Sequence, residues 1–274
     1  MEVATVSGAV EDRSQLGRAW DDVRGGVRAY PVWSTLAWMD IRQRYRRSIL
    51  GPFWITITMV VLILGMGPLY GSLFGIDIKE FLPYLAMGVI TWGLISTLIL
   101  EGCTTFVTAE NLLRSVRLPY TTHVLRVVFR NLIVFAHNLV AFVPFMIYLG
   151  LEPEWRWLAS IPGVVLVLLA ALPAAFIFSI LCTRFRDLQQ IIASAVQLAF
   201  FLTPIFWKGS LLKRHLYFVN WNPFHWMLEV VRAPIIEGIP SWTIYAKLGG
   251  LTVLLYAIAI PFFVKYRRRL AFWV

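Results

Sequence analysis

Six runs of apolar residues, each close to the length of a bilayer crossing, recur at about 50–74, 81–101, 124–150, 158–182, 188–207 and 243–264. A helix rises about 1.5 Å per residue, so a hydrocarbon core of about 30 Å takes about 20 of them. Stretches such as 55–64 lack the short, strict alternation of a barrel strand and read as helix. Pro144, Pro162, Pro173 and Pro204 lie in or near these runs, where neighbouring helices can satisfy the carbonyls that a proline frees. The expected fold is an all-α integral membrane protein with six transmembrane helices.

Two further segments are apolar without being able to span. Residues 31–47, read as a helix, place Trp33, Ala37, Trp38, Ile41 and Tyr45 on one arc, which suggests an amphipathic helix in the membrane interface. Arg44 falls within that arc, so the helix should bend or end there. Residues 208–241 are broken by Pro223, Pro234 and Pro240, yet carry Tyr217, Phe218, Trp221, Phe224 and Trp226. A pair of re-entrant or interfacial helices between spans five and six fits both facts. The resulting division is a polar tail at 1–30, the interface helix at 31–47, a membrane domain at 48–265 and a tail at 266–274.

Charge orients this arrangement. If the N-terminus is cytoplasmic, 18 of the 25 Lys and Arg residues fall on that side and 7 on the other. The positive-inside rule then puts both termini in the cytoplasm, which for a bacterial protein makes this a multi-pass inner-membrane chain. The same flanking bases account for the net charge of +10, and no separate basic domain remains to hold nucleic acid. Of the 274 residues 59% are hydrophobic and 15% charged, against about 25% charged in a soluble domain. Lipid must act as solvent for much of the surface, so membrane lipids are partners. The polar stretch 1–30, with Glu11, Asp12, Asp21 and Asp22, is not that of a signal peptide.

The chemistry in the chain is sparse. There is no Gly-x-x-x-x-Gly-Lys-Ser/Thr loop to cradle phosphates, so any ATP and Mg would have to be bound by another chain and no cofactor is expected on this one. No span carries a mid-membrane Asp or Glu, which weighs against an ion-coupled transporter; Glu101, Arg126 and Arg130 sit at helix ends, and Lys247 can snorkel outward. His137 and Asn138 form a polar pair within span three, for which an interhelical hydrogen bond is favoured over a relay. His123, His215 and His225 have no metal-ligand spacing, no catalytic triad can be assembled, and Cys103 and Cys182 are too few and badly placed for a disulfide framework or metal site. Neither a metal nor an enzymatic activity is expected. Trp54, Tyr70, Phe74, Tyr84, Trp92, Phe200, Phe201, Phe206 and Trp207 cluster on spans one, two and five. Aromatic faces can slide past sugar C–H surfaces, though plain helix packing explains the same residues equally well.

Four stretches carry a resemblance. They are Arg44-Tyr45-Arg46-Arg47-Ser48-Ile49-Leu50-Gly51-Pro52-Phe53-Trp54, then Arg117-Leu118-Pro119, then Phe185-Arg186-Asp187 through Gln197 to Thr203-Pro204-Ile205, and Asn222-Pro223. In order, spacing and topology, over residues about 40–265, the chain resembles the permeases of ABC-2 type polysaccharide exporters, which move O-antigens, teichoic acids and some capsules. Pro52 departs from the family pattern. The resemblance implies a homodimer with two copies of a separate nucleotide-binding ATPase subunit and a lipid-linked glycan as substrate. It implies a coupling helix at about 109–117, with Glu110, Arg114 and Arg117 facing the ATPase and Pro119 ending it. It implies an interface-helix junction at Arg44, Tyr45, Gly51 and Trp54, and a glycan channel lined by Trp54, Tyr70, Phe74, Tyr84, Trp92, Phe200 and Phe201. An outer gate at about 208–241 would involve Thr203, Pro204, Asn222 and Pro223. Without the resemblance, 109–117 reads as an ordinary basic loop. Two rivals stay open at this point: an ABC-2 permease for a small hydrophobic drug or lipid, and a membrane-embedded scaffold or transferase that needs no ATPase.

Overall fold

Gly75 and Asp77 separate the first two long apolar runs, each by a specific bond. The computed structural model describes residues 15–46, 49–51, 53–211 and 216–273, and of Ser210 the backbone alone. Helices α1 (Gln15–Arg28), α2 (Tyr30–Arg44) and α3 (Phe53–Phe74) precede the break. Gly75 adopts φ +64°, its N–H donates to the Ser72 carbonyl at 3.3 Å and the Ile76 N–H to Gly71 at 3.0 Å, a Schellman closure that favours glycine. The Asp77 carboxylate accepts from the Lys79 N–H at 2.7 Å and opens α4 (Ile78–Thr108). There follow α5 (Glu110–Ser115), α6 (Tyr120–Asn138), α7 (Val143–Leu149), α8 (Ser160–Arg184), α9 (Leu188–Leu202), α10 (Leu216–Asn220), α11 (Pro223–Ile236) and α12 (Trp242–Trp273). Apart from short 3-10 turns, every regular element among the described residues is α-helical.

Five helical stretches among the described residues are long and apolar enough to cross a membrane: Phe53–Phe74, Ile78–Thr108, Tyr120–Leu149, Trp155–Arg184 and Trp242–Trp273. The sixth expected span, 188–207, differs. Its helix α9 has 15 residues, about 22 Å, and stops at Leu202. Thr203 turns to an extended backbone (φ −95°, ψ 139°), as a residue before proline tends to, and Pro204 follows in a non-helical turn. The third stretch is also interrupted: α6 ends at Asn138, a 3-10 turn covers Leu139–Phe142, and α7 restarts with Pro144 in its first turn.

The polar segments hold more helix than their composition suggests. Within the expected tail 1–30, α1 forms because Leu16, Ala19, Trp20, Val23 and Val27 recur at helical spacing. At the other terminus α12 runs through the expected tail 266–274 as far as Trp273. In α2, Ala37 and Ile41 of the predicted arc are buried against α6 and Trp33 meets the Phe129 ring edge-on at 5.2 Å, but Trp38 is exposed on another side. Polar and apolar residues are spread around α2, and α1 is the helix that segregates them. Residues Arg47, Ser48, Pro52, Lys213, Arg214 and His215 lie outside the described residues.

Helix α4 is the centre of the arrangement. Its most apolar stretch is 78% buried, against 33% or less for the other four, and α3, α6, α8, α9 and α11 all pack on it. Close approach depends on glycine where α8 crosses α11: a Cβ added at Gly163 would lie 2.0 Å from the Val230 carbonyl oxygen. At Gly249 on α12 nothing lies within 4 Å. Gly163→Ala should therefore lower the melting temperature of the detergent-solubilised protein, at a cost of about 1–3 kcal/mol, while Gly249→Ala leaves it level or slightly higher. Equal melting of the two variants would refute the close crossing.

Candidate functional site

At the arginine-rich end of the fold, one ionic network joins three helices. Glu101 of α4 accepts from Arg44 of α2 at 2.8 Å, from Arg130 of α6 at 2.7 Å and from the Asn131 amide at 2.7 Å. Asp40 of α2 accepts from both Arg126 and Arg130. Partial burial pushes the Asp40 carboxyl up. The Arg126 hydrogen bond and the charges of Arg126 and Arg130 outweigh that and hold it below the usual carboxylate value. For Arg44 the Glu101 hydrogen bond outweighs burial and raises the guanidinium above its ordinary value. The helix-end charges noted in the sequence thus form one cluster with α2. Asp40 went unrecognised because its partners lie 86 and 90 residues further along the chain.

Beyond this cluster α4 continues to Thr108 and α5 follows after Ala109 alone, close to the predicted 109–117. Glu110 and Arg114 pair at 2.8 Å along one face, and Arg114 and Arg117 are exposed. Val116 is extended, so the helix ends before Pro119, which caps α6. Here α1 supplies a contact that the sequence reading missed. The buried Asp22 carboxylate accepts from the Tyr120 N–H at 3.1 Å and the Thr121 N–H and hydroxyl at 3.0 and 2.8 Å, capping α6 from another helix. Arg267 of α12 reaches the same carboxylate at 3.3 Å.

At the predicted junction Arg44 is tied to Glu101, the Tyr45 hydroxyl is buried, and Gly51 takes φ +54°. Trp54 is 59% exposed on α3 and stands apart from the other predicted channel aromatics. Five of those form one sheet of rings: Tyr70 with Phe74 (5.8 Å), Trp92 with Phe200 (5.8 Å), and Phe200 with Phe201 (5.4 Å). Phe206 joins the two ends, 5.2 Å from Tyr70 and 5.5 Å from Phe200. Trp92 lies buried behind the rest. Tyr84 is buried too, its hydroxyl within 3.1 Å of the Pro204 carbonyl and 3.0 Å of that of Trp207, so it braces the turn after α9.

The predicted gate residues converge on that turn. The Asn222 carbonyl caps α11 by accepting from the Phe224 N–H at 2.9 Å, and its amide donates to the Thr203 hydroxyl at 3.0 Å; Pro223 takes the first position of α11. Arg232, 2% exposed, donates to the Pro204 carbonyl at 2.8 Å, pairs with Glu229 and lies 3.8 Å over the Tyr84 ring. The i, i+3 spacing of Glu229 and Arg232 was the available signal for this buried pair. Lys208 pairs with Glu80 at the opening of α4.

Two other expectations change. Among the described residues the His137 Nε2 and Asn138 Oδ1 atoms find no hydrogen-bond partner, and His137 meets the Phe53 ring at 5.1 Å. Lys247 does not simply snorkel: it donates to the Asn220 carbonyl at 3.1 Å and lies 5.6 Å over both Trp221 and Trp226. Cys103 on α4 and Cys182 on α8 are buried free thiols, in keeping with their reading as neither a disulfide framework nor a metal site.

Long apolar helices with polar clusters confined to their two ends define a multi-pass helical membrane protein. Residues 31–236 match the ABC-2 type transporter family, and the chain belongs to that family. Its curated relatives include an O-antigen export system permease protein RfbA of Klebsiella pneumoniae, 20% identical over 85% of this chain and 90% of the relative. An O-antigen export system permease protein RfbA of Myxococcus xanthus is 29% identical over 65% of this chain and 69% of the relative.

Glu101→Gln leaves two arginines facing a neutral amide and should destabilise the protein by about 3 kcal/mol, read by thermal unfolding in detergent. Asp40 gives a signed pH effect. Its folded carboxyl is depressed, so its stabilisation is complete above the ordinary carboxylate range and lost as pH falls through the lowered value. Asp40→Asn should flatten that acid limb of a stability-against-pH profile, and an unaltered limb would contradict the pairing.

Proposed function

We propose that this chain is the permease subunit of an ATP-driven exporter that carries an O-antigen-like, lipid-linked polysaccharide across the bacterial inner membrane. The observation that carries the proposal is the similarity to O-antigen export permeases over 85% of the chain. In this reading two copies form a homodimer and engage two copies of an ATPase subunit, which alone binds ATP and Mg. Both termini and the arginine-rich end are cytoplasmic, as the positive-inside rule favours. Helix α9 with the turn after it completes a sixth crossing, α2 lies in the interface, and α10 and α11 form the re-entrant outer segment.

The mechanism is mechanical. ATP binding closes the ATPase pair, which displaces α5 through Glu110, Arg114 and Arg117. Because Glu101 and Asp40 bind α2 and α6 to α4, these helices move together. Displacement of α4 reaches the outer end through Tyr84, whose ring and hydroxyl engage Arg232 and the turn at Pro204. The polymer passes between protomers along Trp54, Tyr70, Phe74, Phe200 and Phe201, with Phe206 added to that wall. Tyr84 and Trp92 act as its support, since both are buried. The driving bias is the ATPase pair's differential affinity for nucleotide in its two states.

Co-purification with the ATPase encoded beside it, followed by ATPase and polymer-export assays in proteoliposomes, tests this reading. Combined Glu110→Ala, Arg114→Ala and Arg117→Ala should leave the permease folded and cut export at least about tenfold, the scale of a coupling free energy of about 1.4 kcal/mol. Failure to form any ATPase complex, in detergent and in nanodiscs, would overturn the reading. Export of a small amphiphile with no polymer transport would replace the substrate.

A further inference from the structure

Helix α1 turns Leu16, Trp20, Val23 and Val27 to one side, with Arg24 at the edge of that face and Asp21 and Arg28 further round. Ala19 on the apolar side is buried, yet Leu16, Trp20 and Val27 remain exposed. The reason is a cleft along this face. One chamber of about 210 Å³ lies between α1, α6, α8 and α12, and a second of about 650 Å³ lies between α1 and α12. They share Val23, Tyr256, Ile260 and Phe263, and Leu172 and Phe176 of α8 close the deeper one. Apart from the Thr121 and Tyr256 hydroxyls and the Trp20 indole, the walls offer only hydrocarbon.

Both α8 and α12 are long and apolar enough to span a membrane, so the cleft opens where lipid tails replace water. Arg24 follows Trp20 by one helical turn, and Arg268 follows Val264, another wall residue, by one turn. Both are exposed, and neither pairs with a carboxylate among the described residues, whereas the adjacent Arg267 is held by Asp22. Apolar walls, and two exposed guanidinium groups each one helical turn beyond a wall residue, match one kind of occupant. We propose that the cleft binds an anionic phospholipid of the surrounding leaflet, an acyl chain lying along Tyr256, Ile260 and Phe263 and the headgroup phosphate paired with Arg24 and Arg268. The lipid would complete the seat of α1, and with it the Asp22 cap on α6, next to the segment that carries α5. The inference rests on the chain's membrane-spanning helices and not on which polymer, if any, is exported.

The test uses the full chain in phosphatidylcholine vesicles containing phosphatidylglycerol with a photoactivatable diazirine in its acyl chain. After irradiation and proteolysis, mass spectrometry maps the labelled peptides. Labelling should concentrate on the α1 peptide around Trp20 and the α12 peptide around 256–264, and be competed by unlabelled phosphatidylglycerol but not by phosphatidylcholine. Arg24→Ala with Arg268→Ala should lower it at limiting lipid by about fivefold for each arginine removed. Both arginines are exposed, and unchanged labelling of the outward face of α3, around Val61 and Leu64, reports that the fold is intact. Cleft labelling no higher than that α3 background, or a phosphatidylglycerol preference that survives the double substitution, would overturn the proposal.

Discussion

Hydrocarbon can solvate neither a charge nor an open carbonyl, and both constraints meet on α4. From Ile78 to Glu101 this helix runs about 35 Å, slightly more than a hydrocarbon core. Over that length its buried side chains hold five other helices together by apolar contact. Polar bonding is relegated to its two ends. Near one end Tyr84 and Arg232 together satisfy the Pro204 carbonyl where α9 has stopped. At the other Glu101 gathers Arg44, Arg130 and Asn131. The position of every neighbouring helix follows from which of these ends, or which stretch between them, it touches.

How much of this the sequence discloses depends on the range of each interaction. Long apolar runs are local, so α3 and α8 were legible to within a few residues at both ends, whereas α4 and α12 continue past their expected spans to Thr108 and Trp273. The Thr203-Pro204 pair was read as part of a span, although proline's effect on the residue before it ends α9 there. Helix α1 was hidden by its arginines and aspartates: 14 residues with a strong apolar face have too little total hydropathy to stand out. The aromatic residues were singled out as a group but not sorted, because nothing local tells Tyr84, turned inward to a carbonyl 120 residues away, from Trp54, turned outward. Likewise Asp22 was read only as part of a polar tail and Asp40 was not singled out, since their partners come from other helices.

Within an ABC-2 transporter these features suggest a division of labour. The Tyr84 end of α4 is held by directional bonds to one turn, so a small shift of α4 can release or re-form a few of them. The opposite end is held by charge pairs shared among α2, α4 and α6, which resist sliding of one helix past another because several partners would be lost at once. A force applied at α5 is therefore delivered to a block rather than to a single helix, with α1 clasping the same block through Asp22.

The most direct test of that block is a distance. Spin labels at Arg42→Cys on α2 and Asn111→Cys on α5, both exposed positions, can be placed in protein diluted with unlabelled chain and bound to its ATPase. The buried Cys103 and Cys182 are shielded from labelling. Double electron–electron resonance should give one narrow distance that ATP analogues do not shift. A second population, or a nucleotide-dependent change in that distance, would show that α2 and α5 move independently and contradict the coupling of α2, α4 and α6 as a unit.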